Sequence, residues 1–211
     1  MKHIVVVAVV LGLAVLAVPI PTGAQQLVVS NTTWTVTAIS SNGLPKALGN
    51  AEAFCLNAGS PTNCPPGAVL YGAGDGWFAN LSSIPGAIWI WAPGIRGTTS
   101  PADLQTFWFT RNFLVRAAPV TATLSIGTDN YAEIMINGQL VGAYGSVTNA
   151  QAGLNSHNVL RKFSVQNFLH TGVNQMVIRA QNGPSSFVGT CNPCTYAENP
   201  AGVVVGLNIK Y

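Results

Sequence analysis

Beyond its first 24 residues the chain holds six carboxylates, Glu52, Asp75, Asp103, Asp129, Glu133 and Glu198, and two histidines, His157 and His170. Acid–base catalysis needs two such groups to converge, and a pair of carboxylates flanking a bond is the apparatus of glycoside hydrolysis. Asp129 and Glu133 are the nearest pair along the chain. A simpler role accounts for both: Asp129-Asn130 closes a turn into a strand, and Glu133 alternates outward from that strand. No Gly-x-Ser-x-Gly elbow, His-Glu-x-x-His helix or glycine-rich phosphate loop occurs. The histidines lack a second ligand at metal spacing and read as solvated side chains. The chain is therefore read as non-enzymatic.

Sugar recognition asks for less: an exposed aromatic face to stack on a pyranose, with hydrogen-bonding groups at its rim. Trp77 lies in the glycine-rich stretch Gly74-Asp75-Gly76-Trp77-Phe78, and Tyr144 and Tyr196 fall in loops, so Trp77, Asp75, Tyr144 and Tyr196 are the candidate ligand-binding residues. Trp34, Trp89, Trp91 and Trp108 stand in apolar strands and read mostly as core. The four cysteines, Cys55, Cys64, Cys191 and Cys194, read first as two disulfides, with three connectivities open. A four-cysteine zinc site is a further reading, and Cys191-Asn-Pro-Cys194 has the spacing of a thiol-redox pair.

These groups must be carried by strands. Met1-Lys2-His3, an uncharged run from Ile4 to Ile20 and the small residues before Gln25 have the layout of a signal peptide cleaved after Ala24, with an uncleaved anchor as the alternative. Residues 25–211 then form one domain, exported and free of the membrane after cleavage. They show short runs rich in Val, Ile, Thr and aromatics, at Leu27–Ser30, Thr33–Ile39, Ala68–Tyr71, Ala87–Trp91, Thr106–Val115, Val120–Ile126, Tyr131–Asn137, Leu140–Ala143, Leu160–Val165, Val173–Gln181 and Val203–Lys210. Only Val165–His170 suggests a helical turn. Asn137-Gly138 predicts a type I′ hairpin, with Tyr131, Glu133 and Met135 on one face of its first strand and Ala132, Ile134 and Ile136 on the other. Ser40–Ala68, Gly142–Asn158 and Ser185–Pro200 are expected to be long loops. The pattern is all-β, an antiparallel β-sandwich.

Charge is scarce, nine Lys+Arg against six Asp+Glu, and the basic residues are dispersed, with only Arg161-Lys162 adjacent. A phosphate backbone needs clustered cations, so nucleic acid is excluded as a partner. So weakly charged a surface repels copies of itself poorly, which makes self-association an expectation.

Five segments in order, Ala87-Ile-Trp-Ile-Trp91, Phe107-Trp-Phe-Thr-Arg-Asn-Phe113, Ala122-Thr-Leu-Ser-Ile126, Asp129-Asn-Tyr-Ala-Glu-Ile-Met-Ile-Asn-Gly138 and Gly172-Val-Asn-Gln-Met-Val-Ile-Arg-Ala180, resemble the galactose-binding-like jelly-roll modules found beside glycoside hydrolases. Examples are the N-terminal sandwich of α-L-rhamnosidases and the sugar-binding domain of β-galactosidase-type enzymes. The resemblance implies a jelly-roll sandwich with its first and last strands close together, and sugar-binding, adhesive or structural roles. It also implies a structural calcium ion, for which Asp129 and Asn130 are the candidate ligands, with Asp75 and Asp103 as further oxygens. Thr110-Arg-Asn-Phe113, where such modules often carry Arg-Lys-x-Phe, and the cysteine-bearing loops depart from that pattern. The reading is a secreted, non-catalytic carbohydrate-binding module with a glycan as partner; a self-assembling structural or adhesive surface protein is the alternative.

Overall fold

The computed structural model describes residues 23–56, 69–71, 83–94, 98–99, 103–189, 191, 193–196 and 198–211, with backbone alone for 54–56 and 69–71. The apolar leader up to residue 22 therefore lies outside the described residues.

Thirteen strands and one helix occur among the described residues: β1 (Gln25–Val29), β2 (Thr35–Ile39), β3 (Pro45–Asn50), β4 (Glu52–Leu56), β5 (Val69–Tyr71), β6 (Ile90–Trp91), β7 (Thr106–Val115), β8 (Thr121–Asp129), β9 (Tyr131–Ile136), β10 (Gln139–Gly145), α1 (Ala150–Asn155), β11 (Arg161–Ser164), β12 (Gly172–Gln181) and β13 (Gly202–Lys210). They form an antiparallel β-sandwich, apart from the parallel pair β4 and β5. One sheet has six strands in the order β10-β9-β12-β7-β2-β3. The other has seven, β11-β8-β13-β6-β4-β5, with β1 also paired to β13. From β7 onward the chain changes sheet at every connection except the β9–β10 hairpin, the path of a jelly roll. The first and last strands lie together as expected, from Gln25 opposite Lys210 to Val29 opposite Gly206.

Alternation explains the six-stranded sheet. Phe107, Phe109, Phe113 and Val115 of β7, Ala132, Ile134 and Ile136 of β9, and Met176, Ile178 and Ala180 of β12 are buried. Their intervening neighbours face outward. The inner face meets Trp91 of β6, whose ring stands edge-on to Phe107 at 5.4 Å and tilted against Phe109 at 5.5 Å, joining the two sheets. Each of the Phe, Val, Ile and Met side chains contributes about 1.5–3 kcal/mol by leaving water. The seven-stranded sheet is buried on both faces along much of β13 because Ile84, Ala87 and Trp89 cross its outer side and pack on Val204.

The hairpin forms as its sequence predicts, with Asn137 at φ 52° and Gly138 at φ 77°, and the short turn near Phe168 is a 3-10 turn at Gln166–Phe168. Two of the expected loops hold regular structure. Ser40–Ala68 contains β3 and β4, and Gly142–Asn158 contains α1, whose first turn is capped by Asn149 accepting from the Ala152 amide at 2.9 Å. Ala87–Trp91 is strand only at its last two residues.

Candidate functional site

The outer face of the six-stranded sheet brings together an aromatic ring and a set of hydrogen-bonding side chains. Arg179 of β12 stands opposite Trp108 of β7 on one side and opposite Glu133 of β9 on the other. Thr37 of β2 continues the row past Trp108. One row along, Gln181 lies between Tyr131 and Thr106. Neighbouring strands are about 4.8 Å apart, so Trp108, Arg179 and Glu133 occupy a strip about 10 Å wide. Trp108 is partly exposed, between the buried Phe107 and Phe109.

The polar groups of this face are held in place by one another. Arg179 Nη1 is 3.2 Å from Glu133 Oε2, with the two side chains 30% and 32% exposed, and the Tyr131 hydroxyl donates to Glu133 Oε1 at 2.9 Å. Burial, then the hydrogen bond and charge of Glu133, push the Tyr131 hydroxyl above the usual phenol range, so it remains a donor. The Gln181 amide donates to the Leu104 carbonyl at 3.0 Å. An ion pair this exposed contributes little to stability, at most about 1 kcal/mol. It presents both a cation and an anion beside an indole.

Asp129 and Glu133, the nearest carboxylates along the chain, are separated by the fold. Asp129 ends β8 in the seven-stranded sheet opposite Gly202, whereas Glu133 belongs to the six-stranded sheet. Asp129 is 4% exposed, and its Oδ1 lies 3.7 Å from His157 Nδ1. Burial raises its pKa above the ordinary aspartate value, partly opposed by His157. Next to it, Asn130 ties three loops together. Its Oδ1 accepts from the Gly183 amide at 2.6 Å, and its carbonyl accepts from the Ser146 amide and the Ser156 hydroxyl, each at 3.0 Å. A calcium ion takes six to eight oxygens. Here both Asn130 oxygens are engaged by protein donors and a histidine faces the carboxylate, so the Asp129–Asn130 pair does not fit calcium. Among the described residues no three of His, Cys, Asp and Glu gather where a metal could be held.

The other sequence candidates disperse. Trp77 and Asp75 lie outside the described residues. Tyr196 is 2% exposed, its hydroxyl on Gln105 Oε1 and its pKa pushed up to about 12 by burial, so it offers no face to a sugar. Tyr144 packs partly buried against the core, with its hydroxyl donating to the Val159 carbonyl at 2.8 Å. Tyr144 belongs to strand β10, opposite Ala132, rather than to a loop, whereas Tyr196 lies in a turn as expected. Asp103 binds the Ser185 amide and hydroxyl, each at 2.9 Å. Cys191 and Cys194 form a disulfide in irregular chain rather than at a helix start, where a redox pair would gain its reactive thiolate. Cys64 and the side chain of Cys55 lie outside the described residues.

No family model and no curated protein matches this chain. Solved structures of glycoside hydrolases match it in part. They include an α-L-rhamnosidase from Streptomyces avermitilis complexed with L-rhamnose, at 19% identity over 91% of this chain and 16% of that one, TM-score 0.44. A β-glucuronidase from Ruminococcus gnavus in complex with D-glucuronic acid has 11% identity over 92% of this chain and 31% of its own, TM-score 0.44. A β-D-mannosidase from Dictyoglomus thermophilum has 13% identity over 77% and 16%, TM-score 0.39. The chain spans less than a third of the length of each. At these scores the likeness carries no argument about ligand or reaction.

Among the described tryptophans, Trp34, Trp89 and Trp91 are buried, although Trp34 and Trp89 stand just before strands rather than in them, and Trp108 is the exception. Its exposure is hidden in the sequence because Phe107-Trp108-Phe109 is aromatic on both faces of the strand. The signal lies four residues on. Phe109 and Phe113 share the parity of Phe107, while Thr106, Thr110 and Asn112 share that of Trp108, and polar companions mark the outward face.

Proposed function

We propose that this protein is a secreted, non-catalytic carbohydrate-binding module that holds a glycan on the outer face of its six-stranded sheet. The observation that carries the reading is the cross-strand row Trp108–Arg179–Glu133, with Tyr131 and Gln181 alongside. An indole supplies the apolar platform, the guanidinium donates, and the carboxylate accepts from sugar hydroxyls. A flat row on paired strands suits a linear chain better than a single sugar, because the platform continues in both directions. Export follows from the leader-like first 24 residues, and β1 begins at Gln25, the residue that cleavage after Ala24 would leave first.

Retention of the purified protein on immobilised polysaccharides tests this, with Trp108→Ala beside the parent. The parent is expected to be retarded by at least one glycan, and the variant to bind about tenfold more weakly, the loss of about 1.4 kcal/mol of ring contact. Equal retention of the two would take the sheet face out of the site.

The self-assembling alternative has its own observation. At the far end of the same face Leu114 and Val173 stand opposite each other, 54% and 66% exposed. Sedimentation that depends on protein concentration, with no retention on any glycan, would favour it.

A further inference from the structure

The opposite side of the molecule carries a groove of about 230 Å³ across the outer face of the seven-stranded sheet. Its floor is laid by register. Lys162, Ser125 and Gly206 follow one another across β11, β8 and β13, the next row is Ser164, Thr123 and Asn208, and Lys210 stands beyond, opposite Thr121. Ile84 forms one wall: a Cβ on Gly206 would come within 2.5 Å of its Cγ2, so chain and sheet are in close contact there.

Three features of the groove point to the same ligand chemistry. Its described lining contains two lysines and no carboxylate, and both lysines are exposed and form no ion pair among the described residues. Hydroxyl and amide groups of Thr121, Thr123, Ser125 and Asn208 make the floor polar. Asn208, in the same lining, has a side-chain oxygen that is buried with no hydrogen-bond partner among the described residues, and it would accept from a ligand once the amide turns toward the groove. Hydroxyl groups in a ligand would donate to that oxygen, and negative charge would meet the ammonium groups. Lys162 and Lys210 lie two strands and four residues apart, roughly 16 Å between Cα positions, which is the reach of an oligosaccharide. Two single cations at opposite ends suit a chain with at most one charge per sugar better than one with several. A multiply sulfated chain would bring more charge than the groove counters.

We propose that this groove is a second, acidic-glycan site, taking a polysaccharide whose sugars carry carboxylates, and that it works independently of the Trp108 face. The site is electrostatic where the other is aromatic, so the two respond to different substitutions and to salt differently.

Native affinity electrophoresis and calorimetry with polygalacturonate test the site, with fully methyl-esterified polygalacturonate and dextran sulfate as comparisons. The parent is expected to bind polygalacturonate, more weakly as salt rises, and to ignore the methyl ester. Lys162→Gln/Lys210→Gln should lose at least tenfold in affinity with unchanged thermal unfolding, since both side chains are on the surface. Asn208→Leu should weaken binding without altering its salt dependence. Trp108→Ala should leave polygalacturonate binding intact. No binding by the parent, or equal binding by the lysine double variant, overturns the site. Dextran sulfate bound as tightly as polygalacturonate overturns the carboxylate assignment, and loss of polygalacturonate binding in Trp108→Ala overturns the independence of the two faces.

Discussion

Asp129 sits where burial works against its own charge. It is 4% exposed, its Oδ1 has no hydrogen-bond partner, and its nearest cation-capable neighbour is His157 at 3.7 Å. Its folded pKa is raised, chiefly by burial. Below the unfolded value of about 3.9 both states hold the proton; as pH rises through the window between that value and the folded one, only the unfolded state releases it, and stability is lost. Asp129→Asn keeps the shape without the charge. The stability of the variant relative to the parent should therefore increase as pH rises from below the ordinary aspartate value to neutrality. Thermal melts across that range check it, and a difference that is flat or falls with pH would show that His157 compensates the buried charge fully. At this scale the sequence was a poor guide. It identified Asp129 and Asn130 correctly as the turn between strands, because Asx residues suit turns. It could not reveal that the Asn130 oxygens would be taken by Gly183, Ser146 and Ser156, residues 16 to 53 positions away.

At the scale of elements, legibility followed local chemistry. The β9–β10 hairpin was readable because Asn137-Gly138 carries its own backbone requirement. β3 was not, since Pro-Lys-Ala-Leu-Gly-Asn at an exposed sheet edge has no apolar alternation, and α1 was not, since it is six residues long with Gly153 inside it. Asn137 also does more than turn the chain. Its amide donates to the Phe168 carbonyl at 2.9 Å and to Asn174 Oδ1 at 2.8 Å, and its Oδ1 accepts from the Gln175 amide at 2.9 Å. Asn174, 1% exposed, depends on that contact and on His170 and Gly172 for its hydrogen bonds. Asn137→Gly would keep the positive φ and delete the three side-chain bonds. Urea denaturation should show a loss of about 1–3 kcal/mol, the cost of leaving buried groups short of partners. A change of only a few tenths would mean that the turn alone sets the hairpin.

The whole molecule is closed by its ends. β1 occupies the edge of β13 from Gly206 to Lys210, the Ser30 hydroxyl bridges the Ile88 carbonyl at 2.7 Å and the Val205 amide at 3.0 Å, and Tyr211 donates its amide to the Ala24 carbonyl at 3.0 Å. That closure was legible only through the family resemblance, because no local pattern in Gln25–Val29 names its partner about 180 residues away. With six acids and nine Lys and Arg in the chain, surface repulsion offers little protection to an uncovered strand edge. A protein beginning at Ser30 would lose the buried Val28 side chain and the β1 ladder, on the order of 3–5 kcal/mol, and would bare half of β13. It should melt well below the parent and associate in sedimentation at concentrations where the parent stays monomeric. A truncated protein as stable and as monomeric as the parent would show that β1 is an accessory strand and that the seven-stranded sheet is complete without it.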